Sequence, residues 1–171
     1  MGVTVIIRQQ TGKHPKRNYG EKMSIFDNVL TGQAHYGSGH EVANIDLIIG
    51  PRGSNAELLF AKTLTRNHDG FTSLLALMAP NLPCRPYTVM RNKIAIKHSK
   101  QPAIIFGPAQ RGIARGVTQC LVDGIIPVEK ADDLFIFASV FVHPSAEDYS
   151  RIEEFNYQTM QMAIKYAAQG K

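Results

Sequence analysis

The chain has 171 residues, of which 44% are hydrophobic and 19% are charged, and this composition is ordinary for one globular domain with its own core. No apolar run approaches the roughly eighteen residues that a membrane-spanning helix needs, and the first residues lack the apolar segment of a signal peptide. We therefore expect a cytoplasmic protein without a membrane partner.

Most of the formal net charge of +5 lies at the amino-terminal end. Residues 1–22 hold one acidic residue and five basic ones, namely Arg8, Lys13, Lys16, Arg17 and Lys22. Such an extension can bind nucleic acid or an anionic surface, but no aromatic residue lies among these side chains before Tyr19, which favours a solvated arm. We predict a basic extension over residues 1–22, with a short strand at 3–7 and a loop at 9–22, and one domain over residues 23–171.

The cysteines and histidines lack the spacing of a disulfide framework or a zinc site. Cys84 and Cys120 are far apart and form no CxxC pattern, so we predict two reduced thiols in the core. His35 and His40 lie in a glycine-rich segment without a third nearby ligand. We interpret them as exposed loop histidines and predict no metal site.

The first predicted elements of the domain are a buried strand and a helix. Residues 44–49 (NIDLII) have the apolar character of a strand. Because alternate residues of a strand share a face, Asn44 and Asp46 point to the same side. A capping-box pattern at residues 54–57 predicts a helix that runs to about Asn67.

Two further strands are predicted in the middle of the chain. Residues 72–78 (TSLLALM) are typical of a second buried strand, and the proline-containing segment 79–83 breaks the chain after it. Residues 87–97 (YTVMRNKIAIK) alternate and predict a third strand, in which Lys93 and Ala95 share a face.

The second half of the sequence predicts a helix, a strand and a last helix. Pro108 suits the first turn of a helix that stops at Gly124. Residues 107–110 at its start could bind an anion through free amides, or form an ordinary strand-to-helix turn. An apolar strand over 134–142 and a helix over about 146–168 follow. The mixture indicates an α/β or α+β layer structure with one sheet face covered by helices.

No Walker, GxGxxG, HExxH or GxSxG motif is present, but a series of other sequence blocks resembles one known family. The blocks are GxAxxGxGxEVA with IDLIIGPRGS (32–54), LLALMAPNLP (74–83), NKIAI (92–96), FGPAQ (106–110), GIIP (124–127), ADDLF (131–135), VFVH (140–143) and FNY (155–157). They have the order and nearly the spacing found in formaldehyde-activating enzymes and cover about residues 32–168. By this resemblance the chain is identified as a member of that family.

The resemblance implies a reaction, a fold and an assembly. Family members condense formaldehyde with the co-substrate tetrahydromethanopterin, giving methylene-tetrahydromethanopterin and water. The implied fold is α+β, like the second domain of ribosomal protein S5, with a mixed sheet and helices packed on one face. The family also implies a homopentamer with pterin sites between neighbouring subunits, and neither a metal nor a bound redox cofactor.

The family's functional positions match this sequence at four places and depart from it at two. The matching residues are Asp46, Leu75, Lys93 and Gln110. The family's threonine two residues after the lysine is Ala95 here, and the histidine proposed as the general acid is Asn44. On local pattern alone, Asp46 could instead be tied to backbone amides, Lys93 could be a solvated strand residue, and Gln110 could cap its own helix.

The departure at Asn44 bears directly on the chemistry. A carbinolamine must lose its hydroxyl with a proton, which a histidine can supply near neutral pH, whereas a carboxamide can only donate a hydrogen bond. General acid catalysis contributes about 10²–10⁴-fold, so we expect weakened condensation unless His40 or Lys93 replaces the acid, with Asp46 steadying the iminium cation. The alternatives are a non-catalytic paralogue that binds pterin or formaldehyde for sensing or carriage, and an oligomeric scaffold that docks a partner through its basic arm.

Overall fold

The computed structural model describes residues 23–171, which build a mixed five-stranded sheet with helices packed against it, as the predicted α+β class requires. The strands are β1 (Leu30–Tyr36), β2 (Ala43–Pro51), β3 (Ser73–Leu75), β4 (Leu77–Ala79), β5 (Leu82–Pro83), β6 (Tyr87–Asn92) and β7 (Leu134–Phe141). The helices are α1 (Asn55–Thr65), α2 (Gln101–Ile104), α3 (Gln110–Val122) and α4 (Tyr149–Gln169). None of the helices in this part of the chain is long and apolar enough to cross a membrane.

The strand order in the sheet is β1-β2-β7-β6-β3. Strand β2 is antiparallel to both β1 and β7, β6 is parallel to β7, and β3 is antiparallel to β6. The two strands predicted with the most apolar sequences, over 44–49 and 134–142, are confirmed as β2 and β7. They lie next to each other inside the sheet, where both edges of each strand are paired.

Helices α3 and α4 cover one face of the sheet. Ile45, Leu47 and Ile49 of β2 point into this layer and are at most 2% exposed, because alternate strand residues share a face. Gly32 lets α4 approach β1 closely, since an added Cβ there would overlap the carbonyl oxygen of Ala163 in α4. The main core of the domain therefore lies between the sheet and these two helices.

The other face of the sheet is covered only in part, by α1. Ser54 caps this helix by accepting a hydrogen bond from the backbone N–H of Ala56, and Glu57 accepts one from the N–H of Gly53, so the predicted helix start is confirmed although the two bonds of a capping box are not formed. Phe60 of α1 packs with Val89 and Phe135 in a second apolar cluster on this face. The expectation that helices pack on one face alone is thus wrong, although the two longest helices do share a face.

The strand predicted over residues 72–78 is wrong as a single element. Strand β3 ends before Ala76, whose N–H donates to the carbonyl oxygen of Thr88 at 2.9 Å and whose own carbonyl accepts from the N–H of Cys84 at 3.0 Å. Strands β4 and β5 then pair with each other in a separate two-stranded sheet. The segment 79–83, predicted to break the chain, therefore closes a short hairpin.

The third predicted strand ends early, at Asn92. The Asn92 side chain is 2% exposed, and its amide group donates to the carbonyl oxygens of Gly70 and Ile94, each at 2.7 Å. These bonds tie the chain to a neighbouring loop and turn it out of the sheet. Lys93 and Ala95 are therefore not alternate positions of one strand, and that prediction is corrected.

Pro108 lies inside a helical segment rather than in its first turn. The segment begins at Gln101, passes through a π-helical turn at Ile105–Ala109 and continues as α3. The buried Gln101 side chain fixes the start, because its Oε1 accepts hydrogen bonds from two loop amides at 2.7 and 2.9 Å. The π turn accommodates Pro108, which has no N–H for a regular helical bond. Residues 107–110 are thus neither a helix N-terminus for an anion nor a strand-to-helix turn.

Other predictions for the described residues are confirmed. The last predicted helix, over 146–168, is α4, and Gly124 follows α3 with a φ of 70°. Cys84 and Cys120 are free and buried, and burial raises the pKa of their thiols to about 11 and about 12. The predicted basic extension, with its strand and loop within residues 1–22, lies outside the described residues.

Candidate functional site

Asn44, Asp46 and Lys93 meet on the sheet face that α1 covers only in part. The Lys93 ammonium donates to Oδ2 of Asp46 at 2.6 Å and to Oδ1 of Asn44 at 2.7 Å. Gln33 of β1 donates from Nε2 to Oδ1 of Asp46 at 2.7 Å. Both carboxylate oxygens of Asp46 are therefore hydrogen-bonded, and one lysine bridges two positions of β2.

The local structure fixes each member of this polar cluster. Asn44 and Asp46 share a face because they alternate along β2. Lys93 directly follows β6, and its backbone N–H donates to the carbonyl oxygen of Val140 at 2.7 Å. Asn92, the residue before Lys93, is fixed by the hydrogen bonds of its buried side chain to Gly70 and Ile94. Lys93 thus leaves the sheet at a defined point, with its side chain directed over β2.

The ion pair between Lys93 and Asp46 is open to solvent, with 33% and 40% of the two side chains exposed. A pair with this exposure contributes at most about 1 kcal/mol to stability. The fold therefore does not depend on it, and the charges are accessible to a ligand.

A cleft of about 920 Å³ opens beside Lys93. Its lining includes Asn67, His68, Asp69, Phe71 and Arg91. The guanidinium carbon of Arg91 lies 5.4 Å from the centre of the Phe71 ring. Its Nε is buried and has no hydrogen-bond partner among residues 23–171. An unsatisfied buried donor costs about 1–3 kcal/mol, so this N–H can gain from an acceptor on a bound molecule.

Leu75, Ala95 and Gln110 have other surroundings within the chain. Leu75 packs against the apolar cluster of Phe60 under α1. Gln110 is 7% exposed in α3 and donates to a backbone carbonyl oxygen of β4 at 2.8 Å. Ala95 lies against Gly70, because a Cβ added at Gly70 would be 3.0 Å from the Cβ of Ala95. The chain by itself therefore joins Asn44, Asp46 and Lys93, and leaves these three residues with different neighbours.

The two histidines predicted in a loop lie in different settings. His35 is an exposed residue of β1, directly opposite Asn44 in the strand register, so its loop assignment is wrong. His40 lies in the 3₁₀ turn Gly39–Glu41, and its ring stacks on that of His143 with centroids 4.5 Å apart. Only His35 is paired with a residue of the polar cluster by the sheet.

The turn that carries His40 is held by Glu41. Oε1 of Glu41 accepts hydrogen bonds from the backbone N–H groups of Glu147 and Asp148, at 3.3 and 3.4 Å. The bond from Glu147 is the main cause that lowers the pKa of this carboxyl. The stacked pair of His40 and His143 is thus anchored to the segment before α4.

Sequence reasoning missed Gln33, which is bonded to Asp46, and Arg91, which lines the cleft beside Lys93. The alternation of polar Thr31, Gln33 and His35 with small residues was the signal of an edge strand, but its register with β2 could not be known from spacing. Arg91 lies two residues before Lys93 in the sequence, but the cleft beside it is also lined by residues of the distant segment 67–71, which spacing could not reveal.

The site therefore combines an accessible carboxylate–lysine pair with a cleft that has an unsatisfied guanidinium N–H in its lining, which are features typical of small-molecule sites. Sequence comparison identifies the family of this chain. Residues 31–171 match the family model described as "Formaldehyde-activating enzyme (Fae)", and the chain belongs to that family.

The relatives carry two kinds of name. The 5,6,7,8-tetrahydromethanopterin hydro-lyase of Methanosarcina barkeri is 43% identical over 156 residues, which are 90% of this chain and 88% of that protein. The bifunctional enzyme Fae/Hps of Methanosarcina mazei is 43% identical over 139 residues, or 81% of this chain and 36% of the relative. Its counterpart in Archaeoglobus fulgidus is 44% identical over 138 residues, with 81% and 35% covered. The chain thus spans about a third of the length of these bifunctional proteins.

Proposed function

We propose that this chain condenses formaldehyde with tetrahydromethanopterin, giving methylene-tetrahydromethanopterin and water, at the cluster of Asn44, Asp46 and Lys93. The observation that carries the proposal is the meeting of Lys93, which directly follows β6, with Asn44 and Asp46 of β2 on one accessible face. The 43% identity to a tetrahydromethanopterin hydro-lyase, over 90% of the chain, supports the same reaction.

The reaction needs proton transfers and charge stabilisation. One pterin nitrogen adds to the carbonyl carbon of formaldehyde and gives a carbinolamine. The hydroxyl group then takes up a proton and leaves as water, while the nitrogen lone pair forms the C=N bond of an iminium cation. The second pterin nitrogen attacks that carbon and loses its proton, which balances the proton taken up. Asp46 steadies the cation by its opposite charge, and Lys93 and Gln33 hold the carboxylate in place.

Asn44 makes this chain a divergent paralogue in the proposal, with slower condensation than a relative that has histidine at this position. A carboxamide has no proton to release, and its oxygen already accepts a hydrogen bond from Lys93. The loss of general acid catalysis at this position removes about 10²–10⁴-fold. Ala95 in place of threonine removes one hydroxyl contact to the ligand, which is worth about 1 kcal/mol.

The cleft beside Lys93 is the proposed place of the pterin ring. Its volume of about 920 Å³ suits a drug-sized ligand. The oxygen and nitrogen acceptors of a pterin can take the hydrogen bond that the Nε of Arg91 leaves open. Tetrahydromethanopterin acts here as a co-substrate, and the steps above need no metal or redox cofactor.

A homopentamer would complete the site. In the proposed assembly Leu75 and Gln110, which have other neighbours within one chain, contribute to the pterin site of the adjacent subunit. The β4–β5 hairpin supports this arrangement, because Gln110 is bonded to it and it exposes the apolar side chains of Met78 and Leu82. The proposal keeps a fold like the second domain of ribosomal protein S5, a domain over residues 23–171 after the basic extension, and a place in the cytoplasm.

A second candidate function is that of a binding paralogue, which holds pterin or formaldehyde for sensing or carriage without useful turnover. The observation in its favour is that the oxygen of Asn44 is bonded to Lys93, so that position 44 supplies no acid to a bound carbinolamine.

Rates of condensation for the wild type and for Asn44→His distinguish these functions. We expect the wild type to exceed the uncatalysed reaction and Asn44→His to exceed the wild type, because an imidazole at position 44 places an acid where the resemblance implies one. Asn44→Gln is the matched control, since it keeps an amide, and should gain nothing. Isothermal titration with tetrahydromethanopterin should show binding to all three proteins.

Each result of these measurements bears on one of the two candidate functions. Equal rates for the wild type and Asn44→His would remove the acid role from position 44. Binding without acceleration by the wild type would favour the binding paralogue. Absence of pterin binding at millimolar concentration would overturn both functions.

A further inference from the structure

The turnover that Asn44 leaves to this chain needs another source of the proton. Three side chains come into question: Lys93, which belongs to the polar cluster, and the histidines His35 and His40. The choice among them follows from how each is held.

Lys93 is engaged on both sides. Its ammonium group donates to Asp46 and Asn44, at 2.6 and 2.7 Å. Two of its three N–H groups are thus already committed to the polar cluster. Lys93 is therefore suited to holding the carboxylate rather than to protonating the leaving group.

His40 is directed to a different contact. Its ring stacks on His143 with an interplanar angle of 5°, and Glu41 anchors its turn to the segment before α4. The imidazole of His40 is therefore engaged by a ring contact and held by an anchored turn.

His35 lies beside position 44 by strand register. Strands β1 and β2 are antiparallel, and His35 is the direct partner of Asn44. Directly opposite residues of such a pair have Cβ atoms about 4.5–5.5 Å apart on the same face. The next pair on this face, Gln33 and Asp46, is joined by a side-chain hydrogen bond of 2.7 Å, so side chains of β1 do reach those of β2 here.

The imidazole of His35 is also available. It is exposed, and among residues 23–171 it makes no hydrogen bond or ion pair. The charged groups of the polar cluster on its face are Asp46 and Lys93. Histidine is the side chain whose protonation changes most readily near neutral pH.

We propose that His35 is the catalytic acid of this chain and protonates the departing hydroxyl from the strand next to the one that carries Asn44; this rests on the condensation proposed above. The imidazolium N–H gives its proton to the carbinolamine oxygen, the C–O bond breaks, and water leaves as the nitrogen lone pair forms the iminium C=N bond. The neutral imidazole regains a proton from solvent, which receives the one lost by the second pterin nitrogen on ring closure.

The test compares His35→Gln with the wild type in the condensation assay. We expect kcat to fall by about 10²-fold, with KM for the pterin changed less than about threefold, because an acid is lost and the cleft is kept. Added imidazole should restore part of the rate to His35→Ala. His98→Gln, an exposed histidine in the loop before α2, is the matched control and should keep the wild-type rate.

A double variant tests whether His35 is needed only while residue 44 cannot supply a proton. In the Asn44→His background, His35→Gln should cost less than about threefold, since residue 44 then supplies the proton. An unchanged kcat for His35→Gln in the wild-type background would overturn the assignment while leaving the condensation intact. A loss in His40→Gln instead would give the role to the stacked pair and also overturn it. A wild type that binds pterin without accelerating condensation removes the acid role altogether, and one that binds no pterin removes the condensation as well.

Discussion

Arg91 shows how much of a binding site can be read from a single side chain. Its guanidinium group lies against the Phe71 ring, its Nε is buried, and no acceptor among the described residues reaches that N–H. A charged group left unsatisfied in this way is stable only because the rest of the fold holds it there. In the proposed site, an acceptor on the pterin would satisfy this N–H.

Replacing Arg91 with methionine tests this at the residue scale. Arg91→Met keeps much of the apolar stem and removes the donors, so we expect the pterin Kd to rise by about 5–150-fold, the equivalent of about 1–3 kcal/mol. The thermal midpoint should not fall, because the Nε loses no hydrogen bond. Isothermal titration and thermal unfolding measure the two effects, with Arg66→Met, after α1, as the control. An unchanged Kd would show that the pterin does not use this side chain.

At the scale of elements, the sequence predicted what depends on local periodicity and failed where distant side chains decide. The alternation of β2 and β7 and the stripe of α4 needed only their own residues. The end of β6 depends on bonds from Asn92 to a loop twenty residues away, and the start of the helix at Gln101 depends on its side chain binding loop amides. In the polar cluster, motif resemblance had singled out Asn44, Asp46 and Lys93, whereas the positions of Gln33 and His35 required the pairing of β1 with β2.

The contact between α3 and α4 gives a prediction at this scale. An added Cβ at Gly112 of α3 would overlap the carbonyl oxygen of Glu153 in α4 and lie 3.0 Å from the backbone nitrogen of Tyr157. We expect Gly112→Ala to lower the free energy of unfolding by about 1–3 kcal/mol, despite the better helix propensity of alanine, because backbone atoms cannot yield as side chains can. Urea unfolding measures the change. Gly107→Ala, whose nearest other atom is 3.9 Å away, is the control. Equal stability of Gly112→Ala and the wild type would show that the two helices separate at little cost.

At the scale of the whole molecule, the packed core includes residues that precede residue 31, where the match to the family model begins. The match begins at residue 31, but Phe26 is 2% exposed and belongs to the main core, in a turn that Ser24 caps. The structural unit therefore includes residues that the family model leaves out.

Two truncations test the proposed domain boundary. A fragment of residues 23–171 should keep the oligomeric state and the condensation rate of the full chain, because it retains the described core. A fragment of residues 31–171 should unfold more easily, by roughly the 3–5 kcal/mol typical of losing a buried phenylalanine. Size-exclusion chromatography and thermal unfolding measure both. Disassembly of the 23–171 fragment would place a subunit contact in the first 22 residues and contradict the boundary.

The two cysteines have a further meaning for a protein proposed to handle formaldehyde. That small electrophile adds to sulfur nucleophiles, and the thiolate is the form that reacts. With thiol pKa values of about 11 and about 12, Cys84 and Cys120 stay protonated at neutral pH, and their burial keeps the reagent out. The described domain thus presents no ready sulfur to its own substrate, and is spared hemithioacetal formation while it works.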